Sequence, residues 1–308
     1  MRVVDLFAGC GGLSLGFQNS GCRIIAAYDF WDSSIEVYKK NFHHPIFKLD
    51  LSDVDDAISK IGKQDFDAII GGPPCQDFSH AGKRVEGERA DLTLCFAEII
   101  SGLKPKWFLM ENVDRIKGSF VYSRAREIFK KANYGLTEKI VNAGFCGVPQ
   151  TRKRFICIGL QEASDGFLEE CIINRLQGSQ ITVRQYFGNE LGIEYYYRHP
   201  RNYNRRGIFS IDEPAPTVRG VNRPVPKGYK GHPRDPIPVK SNLRALTTLE
   251  RARLQTFPSS FVWEGSKTDL EQMIGNAVPV KLSEVLADAI LHYENDSKDS
   301  RLKLSESA

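Results

Sequence analysis

The stretch "RVVDLFAGCGGLSLGFQNSGCRIIAAYDF", residues 2–30, decides how the chain begins to fold. A short β-branched run, RVVDLF, stops at a glycine-rich turn, a helical pattern follows near Leu13 to Asn19, and a second apolar run, RIIAAYD, closes the unit. That order predicts parallel strands joined by a crossover helix. The alternation then recurs. A helix through SSIEVYKKNF leads to the strand DAII, and LTLCFAEIISGL, WFLMENV, VYSRAREIFKKA, KIVNA and RFICIGL continue it. The expected class is α/β, a mostly parallel twisted sheet with helices on both faces, whose ligands bind at the carboxyl ends of the strands.

At 308 residues, 41% hydrophobic and 26% charged, the chain can bury one large core or a large and a small one. No run approaches the length of a membrane span, and "MRVVDLFAG" starts a strand with no signal-peptide architecture, which points to an intracellular protein. Seven scattered cysteines, with no C-x-x-C pair and no histidine at zinc spacing, read as reduced thiols and no metal site. A net charge of +4 permits a polyanionic partner without requiring one.

Charge placement says more than its sum. Between Tyr195 and Arg234 seven arginines and two lysines face only Asp212 and Glu213, with prolines throughout and no helical period. The expected organisation is a catalytic domain over 1–163, a loop-rich basic unit over 164–243, a return to the first domain over 244–294, and a frayed polar tail over 295–308.

Candidate site residues sit where strands end. DLFAGCGG lets backbone approach a ligand and presents helix N–H groups to an anion, though it lacks the G-x-G-x-x-G spacing and equally suits a tight structural turn. Asp29, ending the second strand, suits ribose hydroxyls, and Phe30 beside it suits stacking on adenine or a place in the core. Asp50 is either an acceptor for an adenine amino group or a helix cap. In GGPPCQDFS, residues 71–79, flexible glycine followed by stiff proline presents Cys75 at a strand end. WFLMENV drives Glu111 to the end of an apolar strand, where desolvation suits a proton donor. QTRKRF places Arg152 and Arg154 at alternating positions, hence on one face of a strand.

Taken together and in order, DLFAGCGG, PPCQDFS, ENV, QTRKR, LTTLERARLQTFP and IGNAVP resemble the DNA (cytosine-5)-methyltransferases of prokaryotic restriction-modification systems. The match covers residues 1–160 and 243–291. It implies a class I, Rossmann-like fold with S-adenosylmethionine as methyl donor and a cleft for double-stranded DNA. It further implies a cofactor site of Phe7, Gly9, Gly11, Asp29, Phe30, Asp50, Leu92, Asn276 and Val278. Cys75 becomes the nucleophile, Glu111 the proton donor to the ring, Asn112 an orienter of the cysteine loop, and Arg152 and Arg154 the arginines around a flipped base. DEPAPTVRG looks like the family's recognition region, so Thr217, Arg219 and Arg223 become DNA-binding residues. Monomeric state, a cognate restriction endonuclease and a place in the bacterial cytoplasm at the nucleoid also follow from the resemblance.

Asp29 and Phe30 depart from the Glu and Trp of many members, and Arg89-Ala90 from a commoner Arg-Gly. A transfer-RNA methyltransferase shares the catalytic motifs, but its Cys-Phe-Thr signature is not found. A catalytically silent DNA-binding regulator on the same fold does not explain an intact Cys75, Glu111 and Arg154. A nicotinamide oxidoreductase is excluded by the glycine spacing.

Overall fold

The computed structural model describes residues 1–74, 91–200, 202 and 204–306, with side chains described as far as residue 296. Cys75 and Arg89 lie outside the described residues. The chain divides into two compact units, one of residues 1–141, 153–176 and 283–308, the other of 142–152 and 177–282.

The first unit is built on β1 (Arg2–Leu6), β2 (Arg23–Asp29), β3 (Ile46–Lys48), β4 (Ala68–Gly71), β5 (Trp107–Val113), β6 (Tyr134–Asn142) and, after a short β7 (Gln150–Thr151) in the second unit, β8 (Lys153–Gln161). They form one seven-stranded sheet in the order β3-β2-β1-β4-β5-β8-β6. Its pairs from β3 to β5 are parallel, while β8 runs antiparallel to β5 with Val113 opposite Arg154. Helices α1 (Gly12–Asn19), α2 (Asp32–Asn41), α3 (Val54–Ile61), α4 (Leu92–Leu103) and α5 (Phe120–Lys131) are the crossovers, and the short α6 (Glu169–Ile173) follows β8.

Local chemistry marks the element ends. Asp53 caps α3 by accepting from Asp56 N–H, Ser119 caps α5 by accepting from Tyr122 N–H, and paired lysines close α2 and α5 where the helix dipole favours cations. β5 is buried on both faces, as a central strand of a covered sheet must be. The Phe108 ring stacks on Phe129 at 4.3 Å and meets Tyr134 edge-on at 4.9 Å. That ring also explains Gly159 on β8, since a Cβ there would lie 2.0 Å from it. The helix α10 (Val280–Glu306) is tied to the sheet by Trp107 Nε1, which donates to Glu294 Oε2 at 3.0 Å.

The second unit holds α7 (Val183–Phe187), the antiparallel pair β9 (Tyr195–Tyr197) and β10 (Ile208–Ser210), β11 (Ala215–Pro216) beside β7, α8 (Thr248–Leu254) and α9 (Lys267–Asn276). Its core joins Val183, Phe187, Tyr196 and Phe209 to Leu254 and Ile274.

The boundaries differ from those expected at 163 and 243. The chain stays with the first unit through α6, where Leu168 N–H donates to Thr137 Oγ1 at 3.0 Å. It rejoins that unit at 283, because α8 and α9 place their apolar residues in the second core. The expected frayed tail is helical backbone as far as Glu306. Among the described residues the cysteines are free thiols, no group of His, Cys, Asp or Glu is disposed to hold a metal, and no helix is long and apolar enough to cross a membrane.

Gly159→Ala should destabilise the protein by about 1–3 kcal/mol through overpacking against Phe108. A lower urea midpoint at unchanged slope is the expected reading, with partial recovery when Phe108 is cut to leucine in the same chain.

Candidate active site

β4 ends at Gly71, and the backbone then runs through Gly72, Pro73 and Pro74 towards Cys75. Two residues at the end of β5 hold this segment. Asn112, 3% exposed, donates from Nδ2 to the Pro73 carbonyl at 3.0 Å, while its Oδ1 accepts from Val113 N–H at 2.8 Å. Glu111 lies against this segment: a Cβ on Gly72 would stand 3.3 Å from its Oε2. Its other oxygen meets Arg154 Nε at 2.7 Å, in an ion pair whose side chains are 8% and 14% exposed. A carboxylate so removed from water needs such a partner. Neither residue alone marks a site; together they set a charged pair beside the segment that delivers the cysteine.

The glycine loop is conformationally demanding. Phe7 and Gly9 both take φ of 56°, and Gly11 takes 93°. A Cβ on Gly11 would come within 2.4 Å of the Phe42 ring, whereas nothing approaches within 4 Å of a Cβ on Gly9, so one glycine is needed for packing and the other leaves open space. Asp29 organises the loop. Its Oδ2 accepts from Gly9 N–H at 2.7 Å and its Oδ1 from Trp31 N–H at 2.8 Å and Ser34 Oγ at 3.1 Å.

Beside it Phe30 is 61% exposed, with Lys48 Nζ 5.4 Å from the ring centroid. Asp50 is exposed and accepts from both Ser52 N–H and Ser52 Oγ, which hold its carboxyl below the usual range. It caps a turn, and the neighbouring Asp53 caps α3. Leu92 opens α4 just after the capping Asp91. Acceptors on Asp29 and Asp50, an exposed aromatic face and open backbone at Gly9 are residue types that suit a nucleoside.

Arg152 departs from expectation. It sits between β7 and β8, so strand alternation does not run through it, and it belongs to the second unit whereas Arg154 belongs to the first. It is fully buried in the second unit, where its guanidinium donates to the carbonyls of Val218, Gly275 and Ala277, each at 3.0 Å. It braces backbone. Gln150 helps, accepting Val218 N–H at 2.8 Å, and Arg251 Nη2 donates to the Arg219 carbonyl.

Arg251 is ion-paired with buried Glu271, which also accepts from Asn222 Nδ2 at 2.9 Å and Thr248 Oγ1 at 2.8 Å. The segment 217–223 is therefore pressed onto α9, so closely that a Cβ on Gly275 would lie 2.1 Å from Gly220 N. Thr217 Oγ1 donates to the Thr151 carbonyl, one Arg219 nitrogen donates to the His199 carbonyl, and Arg223 is exposed. Arg198, His199, Arg219, Asn222 and Arg251 line an open pocket. Asn276 is exposed and Val278 buried, both in this unit.

A family model for the C-5 cytosine-specific DNA methylases matches residues 1–292. The chain belongs to that family. It is similar to the type II methyltransferase M.HindV of Haemophilus influenzae, 54% identical over 96% of this chain and 98% of that one. With M.HgiDI of Herpetosiphon aurantiacus the identity is 50%, over 99% and 98%. Among solved structures, the S. pombe Dnmt2 methyltransferase has the same fold, with a TM-score of 0.71 at 19% identity over 96% of this chain and 99% of that one.

In this methylase the described structure thus brings Glu111, Asn112 and Arg154 together beside Gly72–Pro74, and ties Gly9 to Asp29. It sets Arg152, Thr217, Arg219, Arg223, Asn276 and Val278 in the second unit. Sequence reasoning passed over Gln150, Arg251 and Glu271. The first two stand inside motifs already quoted, but only the fold reveals which carbonyls they serve.

Arg152→Ala should lower stability by about 3 kcal/mol or more, since three hydrogen bonds from a charged donor to buried carbonyls are lost. Arg152→Lys should not restore it, because an ammonium cannot reproduce the planar fork. Both are read from the urea midpoint.

Proposed function

We propose that this methylase transfers a methyl group from S-adenosylmethionine to carbon 5 of a cytosine flipped out of duplex DNA, through a covalent adduct with Cys75. The observation that carries the reading is the Glu111–Arg154 pair beside the Gly72–Pro74 segment. Carbon 5 of cytosine is too weak a nucleophile alone. Cys75, as thiolate, adds at carbon 6 while Glu111 holds a proton at ring nitrogen 3, which makes the ring an enamine. Arg154 stabilises charge developing on the ring oxygen, and Asn112 fixes the segment that aims Cys75. Once carbon 5 carries the methyl group, loss of its proton expels the cysteine, the nitrogen 3 proton returns to Glu111, and 5-methylcytosine is left.

Phe30 offers a face for adenine, Asp29 and Asp50 acceptors, and Gly9 the open backbone for the cofactor; Phe7, Gly11 and Leu92 shape the same region. Asn276 and Val278 remain cofactor-site candidates from the family motif. When bound, that cofactor supplies an electrophilic methyl on a sulfonium. Arg152 is a brace for the recognition segment and does not touch the base in this scheme.

Flipping costs a few kcal/mol and must be offset by contacts along the duplex. The second unit suits that task. Arg205, Arg223, Lys227, Lys230 and Arg234 are exposed and available to phosphates, while Thr217 and Arg219 beside the arginine-lined pocket suit base edges. Relatives named type II methyltransferases, alike over nearly their whole length, favour DNA over transfer RNA and support a cognate restriction endonuclease. The chain acts as a monomer in the bacterial cytoplasm, at the nucleoid.

Incubation with methyl-labelled S-adenosylmethionine and either unmethylated duplex DNA or total transfer RNA tests this, with bisulfite sequencing of the labelled product. Label at one short motif in DNA is expected; label in transfer RNA alone overturns the substrate. Cys75→Ala should abolish transfer while retaining DNA binding, and undiminished turnover would sink the adduct. DNA affinity should fall steeply with salt, by about 10³-fold or more between 50 and 200 mM if six or more phosphates are contacted. A flat response in a binding titration would contradict the basic unit's role.

A further inference from the structure

Beneath the glycine loop the first unit buries a carboxylate that the reaction scheme does not use. Asp5, on β1, is 0% exposed; its Oδ2 accepts from Ser14 Oγ at 2.6 Å and its Oδ1 makes no hydrogen bond. Ser14 in turn accepts from Tyr38 Oη at 2.6 Å, and Tyr38 Oη lies 2.6 Å from Nε2 of the half-buried His44. Each hydroxyl has one proton to give. With the serine proton on Asp5 and the tyrosine proton on Ser14, His44 Nε2 carries hydrogen and donates to Tyr38. Four side chains therefore form a single-direction chain from a ring near the surface to a buried carboxylate.

This chain underlies the loop that Asp29 ties from above. Ser14 lies in the first turn of α1, and Gly11, which starts that turn, is pressed against the rings of Tyr38 and Phe42. Moving Tyr38 or Ser14 moves the wall on which the loop rests.

We propose that Asp5 is a positioning residue of the glycine loop, and that one proton exchanged with solvent through Ser14, Tyr38 and His44 sets how strongly the loop prefers a cationic cofactor to its neutral, demethylated product. The inference rests on the S-adenosylmethionine reading. Uptake balances as follows: solvent gives a proton to His44 Nδ1, His44 Nε2 passes its own to Tyr38, Tyr38 to Ser14, and Ser14 to Asp5 Oδ2. Asp5 ends neutral, and the imidazole ends neutral in its other tautomer.

Electrostatics put this exchange near neutrality. Burial above all, with Asp29 of β2 adding to it, pushes the Asp5 carboxyl up to about 7 against hydrogen bonds from Ser14. The other titratable groups at hand stay uncharged there. Burial pushes the Cys10 thiol up to about 12 and the Tyr38 phenol well above its usual value; burial, with His43 adding, pulls His44 down to about 4. Above pH 7 Asp5 is ionised and favours a sulfonium; below it, the preference fades.

Folding stability carries the same signature with a definite sign. An acid whose ordinary value is 3.8 and whose folded value is about 7 binds its proton more readily when folded. Its contribution is full below about pH 4 and is lost as pH rises through 7.

The test is calorimetric binding of S-adenosylmethionine and of S-adenosylhomocysteine, without DNA, between pH 6 and 8.5. In the wild-type chain the affinity ratio, sulfonium over thioether, should rise about fivefold or more across that range, as a coupling of this kind carries. Asp5→Asn should abolish the rise. Ser14→Ala and Tyr38→Phe, which keep the carboxyl but remove donors that stabilise its anion, should move the midpoint to higher pH, Ser14→Ala further. Should Asp5→Asn not fold, those two midpoints decide. Binding of both ligands with a pH-independent ratio, or variant midpoints unmoved, overturns this inference and leaves the cofactor reading intact. No binding of either ligand at any pH overturns both.

Discussion

A carboxylate at the end of an apolar strand must be partnered, and in this fold the partner comes from the one strand that the observed pairings run against the rest. β8 pairs antiparallel with β5, so it begins where β5 ends, and its second residue, Arg154, stands opposite Val113 and within reach of Glu111 two positions away. A parallel strand in the same place would carry its first residues to the far edge of the sheet. Reversal of β8 thus supplies a guanidinium at the carboxyl edge, where α/β sheets build their sites. The interposed segment 142–152 is the route by which the chain arrives there, and Asn112 adds the tie from β5 to Pro73, in the segment that follows β4.

The loop after β1 is held from two directions. From the second strand, Asp29 takes Gly9 N–H; from below, Ser14 links α1 to buried Asp5. Three positive-φ residues in five demand such bracing, because an unsupported loop of that kind has many alternatives in solution.

Much of this was legible in the sequence. Alternation of apolar runs with helical patterns located the principal strands and helices of the first unit, since short-range periodicity reports burial directly. The ordered motifs named the family that the comparisons show. What stayed hidden depends on contacts distant along the chain. Alternation placed Arg152 beside Arg154, but the strand breaks between them and Arg152 serves carbonyls 66 to 125 residues away. Helices α8 and α9 look like a return to the first domain, yet their apolar faces complete the second core. Asp5 passed unremarked because a single acid inside an apolar strand carries no period, and only the fold shows that Ser14 and Tyr38 come to meet it.

The contact between Gly220 and Gly275 bears on how the segment 217–223 can be exchanged between relatives. With backbone against backbone, and no room for a methyl group on Gly275, the segment 217–223 is not a free loop on a neutral platform. It shares a mould with α9, Gln150, Arg152 and Arg251. A chimera cut at residue 243 would graft a foreign segment onto a surface shaped for another. One cut at 177 and 282, and carrying 142–152 with it, would transfer the segment together with its mould.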